Sequence, residues 1–98
     1  MKPTRRPLEK TIVASIRDLA ESLGWYVIKM HGGPFMPAGI PDLLLIRHGR
    51  VAWIEVKRPG EEPTKIQVHR MRELARAGCS VTVAHSANDA RHFLGALM

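Results

Sequence analysis

The chain has one cysteine, Cys79, in 98 residues, which excludes an internal disulfide framework and fits a reducing, cytoplasmic setting. No apolar run approaches the roughly 18 residues of a membrane span. The basic N-terminus is not followed by the apolar core of a secretory signal. The five histidines (His31, His48, His69, His85, His92) show no zinc-type spacing and have no cysteine partner nearby. Internal repeats, low-complexity tracts and any sign of a second domain are also missing, so residues 1–98 read as a single soluble domain. Acids are scarce too. Nine Asp and Glu stand against 15 Lys and Arg, a net charge of +6 with a pI near 10.3. That balance favours an anionic partner, nucleic acid first and an anionic membrane surface second.

What is present follows an alternating plan. Residues 1–6 carry Lys2, Arg5 and Arg6 and read as a solvated basic tail, with phosphate contact as the alternative. Pro7 suits the first position of a helix in which Leu8, Ile12, Ile16, Leu19 and Leu23 recur at helical spacing, ended by Gly24. Glu9 lies on the neighbouring row with Val13, Ile16 and Ala20, which tilts its carboxylate towards the buried side; complementing the helix dipole is the plainer role. Trp25 to Met30 is β-branched and aromatic, a strand. His31 to Pro41 holds three glycines and three prolines, a loop with special backbone needs. Cys79 to Ala84 is a further strand, its cysteine a packed thiol. Thr64 to Ala77, stopped by Gly78, and a segment opened by the capping pair Ser86 and Asp89 are helices; Ala90, Phe93, Leu94 and Leu97 form the buried row of the last. The order is αβββαβα, an α/β fold.

The stretch Gly39–Lys57 organises the rest. Two apolar segments meet at His48-Gly49, so strand partners have numbers summing to 97, with Leu44 facing Trp53 and Asp42 facing Glu55. Opposed residues on one face hold their Cβ atoms about 4.5–5.5 Å apart, and like charges there destabilise the sheet. Lys57 lies on the same face, roughly 6.5–7 Å beyond Glu55. A facing carboxylate pair is costly unless a cation sits between the oxygens, and magnesium or manganese is the natural one. The plainer alternative is a salt bridge from Lys57 to Asp42 or Glu55. Both faces of the hairpin are apolar, so helices should cover both sides of the sheet.

Pro41-Asp42 followed by Glu55-Val56-Lys57 resembles the signature of the PD-(D/E)XK nuclease superfamily. The fuller pattern Gly39-Ile40-Pro41-Asp42, Trp53-Ile54-Glu55-Val56-Lys57 and Gln67 is similar to its VRR-NUC (virus-type replication–repair nuclease) branch. The resemblance covers nearly the whole chain. It implies a restriction-endonuclease-like core, a mixed sheet flanked by helices, and a magnesium- or manganese-dependent DNA endonuclease. It implies that Glu9 joins Asp42 and Glu55 as a metal ligand, with the main-chain carbonyl of Val56 as another. Lys57 then orients or helps deprotonate the attacking water. It also implies a Gln67 near the active centre; against this, Thr64-Lys65-Ile66-Gln67 fits a capping box that would fold Gln67 back to the helix start. His31 would line the site from its loop. Arg58, Lys65, His69, Arg70 and Arg72 form either a phosphate-tracking side or a solvated helix face. A homodimer acting on branched DNA, four-way junctions or flaps, is the implied assembly, gripping mainly backbone phosphates. A non-catalytic nucleic-acid-binding subunit and an RNA-directed nuclease are the competing readings.

Overall fold

The tight bend at His48-Gly49 sets the centre of the sheet. Both residues have positive φ (49° and 76°), the backbone that a two-residue hairpin turn demands and that glycine adopts without a Cβ penalty. The computed structural model describes residues 6–98; Lys2 and Arg5 of the expected basic tail lie outside the described residues. The turn joins β2 (Leu43–Arg47) to β3 (Arg50–Val56), and the register pairs Leu43 with Ile54, Leu44 with Trp53 and Ile46 with Val51, the sum of 97 expected from the sequence. β1 (Tyr26–Lys29) lies antiparallel on the other side of β2, and β4 (Ser80–Ala84) runs parallel to β3. The mixed sheet therefore has the order β1-β2-β3-β4.

Alternation along these strands sends Leu43, Leu45, Ala52, Ile54 and Val56 to one face, where all are fully buried. Helices α1 (Glu9–Ser22) and α3 (Ala87–Gly95) close that face with Ile12, Val13, Ile16, Ala20, Ala90 and Leu94. Each large side chain so buried contributes about 1.5–3 kcal/mol. Helix α2 (Lys65–Arg76) packs against β4 and gives no residue to this core. The second face is thus covered less fully than its apolar pattern predicts: on β1, Tyr26 and Ile28 keep 69% and 38% of their surface exposed.

The element order is the expected αβββαβα, with shifts at the edges. Pro7 is not the first helical residue, because Leu8 stays extended as N-cap and Glu9 opens α1. Trp25 and Met30 fall outside β1, although Trp25 is 3% exposed and belongs to the core. Cys79 is half-buried just before β4; its N–H donates to Leu74 O (3.0 Å) and helps end α2. At α3 the Ser86 hydroxyl accepts from Asp89 N–H (3.1 Å) as expected, but the Asp89 carboxylate reaches one residue further back, to His85 N–H (2.9 Å). Arg6 is tied down, donating to Pro59 O at 2.9 Å and lying 3.6 Å from Glu61.

Candidate metal centre

Three elements end at one point. The first residue of α1 is Glu9, Asp42 immediately precedes β2, and Glu55 is the penultimate residue of β3. One carboxylate oxygen from each lies within 4.8 Å of the other two. The hairpin register fixes Asp42 beside Glu55, since Leu43 opposite Ile54 makes them the next pair. Asp42 is held further by Val56 N–H, which donates to its Oδ2 at 2.8 Å, and by Met30 N–H, which donates to its main-chain O at 2.8 Å. Glu9, itself exposed, arrives because it stands at the end of the α1 row whose Val13, Ile16 and Ala20 are buried. The N–H and N–H2 groups of the Arg58 guanidinium donate to Pro7 O (3.0 Å) and Arg6 O (3.4 Å) and lie beside Glu61, pinning the residues just before Glu9.

Glu55 is 2% exposed, and its Oε2 has no hydrogen-bond partner. The other buried side-chain atoms without a partner among the described residues are the Trp25 and Trp53 indole nitrogens, so this is the acidic one. Burial first, then the Asp42 carboxylate close enough to share a proton, push Glu55 up to about 9; Glu9 adds to this and Lys57 opposes it. A buried acceptor without a donor, amid two further carboxylates, is a donor set suited to a hard oxygen-seeking cation.

The cation that approaches Asp42 is Lys29, a residue that the sequence reading did not single out. Its Nζ lies 3.7 Å from Asp42 Oδ1 and donates to Met30 O at 3.1 Å. Lys57 faces the cluster closely enough to lower Glu55, while its N–H donates to Ala84 O. Among the described residues the salt bridge at Asp42 is therefore made by the β1 lysine and not by Lys57. The signal for Lys29 in the sequence is its charge in an otherwise apolar strand; its place opposite Leu43, and thus next to Asp42, comes from the register of β1 on β2.

His31, Lys29 and Asp42 line a cavity of about 320 Å³ under the loop between β1 and β2. Val56 is buried beside Asp42, with its N–H committed to that carboxylate. Gln67 takes the capping geometry: its Oε1 accepts from Thr64 N–H (2.8 Å) and its N–H donates to Thr64 Oγ1 (3.3 Å). Lys65 is exposed at the opening of α2, beside Pro63, His69 and Arg72 along a surface hollow. On the basic side of α2, Arg70 is used internally, donating to Ala38 O (2.9 Å) and Glu73 (2.6 Å).

No protein-family profile and no curated protein match the chain. Three chains of solved structure do, two of them VRR-NUC domains. One, described as a "VRR_NUC domain", has a TM-score of 0.76 at 24% identity, over 89% of this chain and 94% of its own. The other, a "VRR_NUC domain protein", has a TM-score of 0.78 at 20% identity, over 93% of this chain and 88% of its own. The fold of this chain is that of the VRR-NUC domain.

Proposed function

We propose that this chain is a divalent-metal-dependent nuclease that hydrolyses DNA phosphodiester bonds. The observation that carries the reading is the buried, unpartnered Oε2 of Glu55 within a cluster completed by Glu9 and Asp42. These three carboxylates, with the main-chain carbonyl of Val56, would hold magnesium or manganese. When bound, such an ion neutralises phosphate charge and lowers the pKa of water. The protein's own residues do the rest. Asp42 is fixed for its task by two main-chain donors. Lys57, on the strand face of Glu55, orients and helps deprotonate the attacking water. Lys29 and His31 offer positive charge and a hydrogen-bond donor to the phosphate that approaches Asp42. Gln67 serves the helix start. Arg58 serves Glu9 through the Pro7 and Arg6 carbonyls.

The assembly best suited to this site is a homodimer with two-fold symmetry, acting on branched DNA such as four-way junctions or flaps. The exposed Tyr26 and Ile28 on edge strand β1 support a self-complementary contact. Incubating the protein with linear, flapped and four-way DNA, and with RNA duplex, in chelator, magnesium or manganese tests the reading. Cleavage of DNA in either metal and none in chelator is expected. Asp42→Ala and Lys57→Ala should each lower cleavage by roughly 10²-fold or more while leaving DNA affinity within about threefold. Folded protein that binds DNA but cuts it in neither metal would make this a non-catalytic subunit, and cleavage confined to RNA would make it a ribonuclease.

A further inference from the structure

The loop between β1 and β2 presents two features that the metal centre does not use. Phe35 is 96% exposed, the most exposed large apolar side chain among the described residues. It occupies the third position of the turn Gly33-Pro34-Phe35-Met36, closed by Met36 N–H donating to Gly33 O at 3.1 Å, with Pro34 in the second position that such turns favour. The turn holds the ring outward. Its two ends, Gly33 and Met36, line the cavity that reaches Asp42. The loop is anchored at its C-terminal base, where Arg70 donates to Ala38 O and Gly39 lies so close to α2 that a Cβ there would stand 2.7 Å from Ile66 O. A ring on a fixed mount, one turn away from a cavity beside the proposed scissile phosphate, suits a device that acts on a nucleotide.

We propose that this loop receives an unpaired nucleotide next to the scissile phosphate, the base entering the cavity beside Asp42 while Phe35 stacks in the place it leaves. The inference rests on the nuclease reading for the position of the phosphate. The cavity, about 320 Å³, is near the small end of ligand sites and is lined by the apolar Met30, Met36 and Ile40 together with Lys29 and His31. That mixture fits a planar base with a polar edge. Removing a base from its stack is unfavourable, least so at a mismatch or a branch, and an inserted aromatic ring offsets part of that. The cavity therefore favours a nucleotide that leaves its stack easily, and Phe35 lowers the cost of taking one out of a paired duplex.

The test places 2-aminopurine, whose fluorescence rises on unstacking, beside the cleavage site in a paired duplex and in a flap, each bound without divalent metal. Wild-type protein is expected to raise the duplex signal several-fold; Phe35→Ala should abolish that rise and Phe35→Trp restore it. With metal, Phe35→Ala should cut paired duplex roughly tenfold more slowly and the flap at near the wild-type rate. Equal fluorescence and equal rates for wild type and Phe35→Ala would overturn the proposal. So would a Phe35→Ala protein whose only change is its elution as a smaller oligomer, since Phe35 would then be a contact between copies. A fluorescence rise in wild type without cleavage of any DNA would sustain the loop's role and defeat the nuclease reading; cleavage with no Phe35 effect would do the reverse.

Discussion

Glu55 decides how this protein should respond to pH. In the fold its carboxyl is raised to about 9, mainly by burial, while in the unfolded chain it titrates near 4.3. Between these values the folded state holds a proton that the unfolded state has lost. Stability is therefore highest below about 4.3 as far as this group is concerned, falls as pH rises, and has lost the contribution entirely above about 9. Melting temperatures measured from pH 5 to 9 without metal should show this decline, and Glu55→Gln should flatten it; an unchanged slope in the mutant would assign the effect elsewhere. Saturating magnesium should lessen the decline, because it favours the ionised form. Lys29 gives a second prediction. Its partly exposed ion pair with Asp42 opposes a bound cation, so Lys29→Met should tighten manganese binding by roughly two- to fivefold and weaken metal-free DNA binding, both readable by calorimetry. The sequence placed Asp42, Glu55 and Lys57 because they share one hairpin, whose period of two and tight turn fix the faces. It did not place Lys29 at the cluster, because that lysine comes from a strand joined through a long loop, across which register cannot be counted.

At the scale of elements, the local rules were most legible where a chemical signal marked them. Thr64 and Gln67 form the capping box that their spacing allowed, and His48-Gly49 makes the turn. Edges without such a signal moved: Leu8 lacks a capping side chain, so nothing in the sequence distinguishes Pro7 from a first helical residue. Arg58 shows the same limit for function. Beside Lys57 it looked like a phosphate contact, yet its guanidinium holds Pro7 and Arg6, an interaction spanning half the chain. Arg58→Ala should therefore reduce cleavage through a loosened Glu9, with a larger rise in the manganese concentration needed for half-maximal rate than in the DNA KM. A purely DNA-contacting arginine would show the opposite split. Gly39→Ala combines a φ of +81° with a Cβ only 2.7 Å from Ile66 O, and should lower the urea midpoint by the equivalent of more than about 1 kcal/mol. Thr64→Ala removes only the cap, about 1 kcal/mol.

For the whole molecule, the concentration of chemistry at one end of the sheet follows from a single arrangement: β2 and β3 run antiparallel side by side, and α1 starts where β2 begins and β3 ends. On the proposed nuclease function, the +6 net charge makes DNA affinity a matter of counterion release, so binding should fall with salt at a log–log slope of roughly −3 to −5. The incomplete cover of Tyr26 and Ile28 was not legible, because an apolar strand face reads alike whether its neighbour is a helix of the same chain or another molecule. Everything functional in this account depends on Glu9, Asp42 and Glu55 holding a cation together. Crystals grown in manganese, with anomalous differences collected at the manganese edge, examine that most directly. A peak bonded to oxygens of all three carboxylates is expected, with the Lys29 ammonium withdrawn from Asp42; a saturated crystal with no peak there, or with manganese bound only elsewhere, would rule out a shared cation.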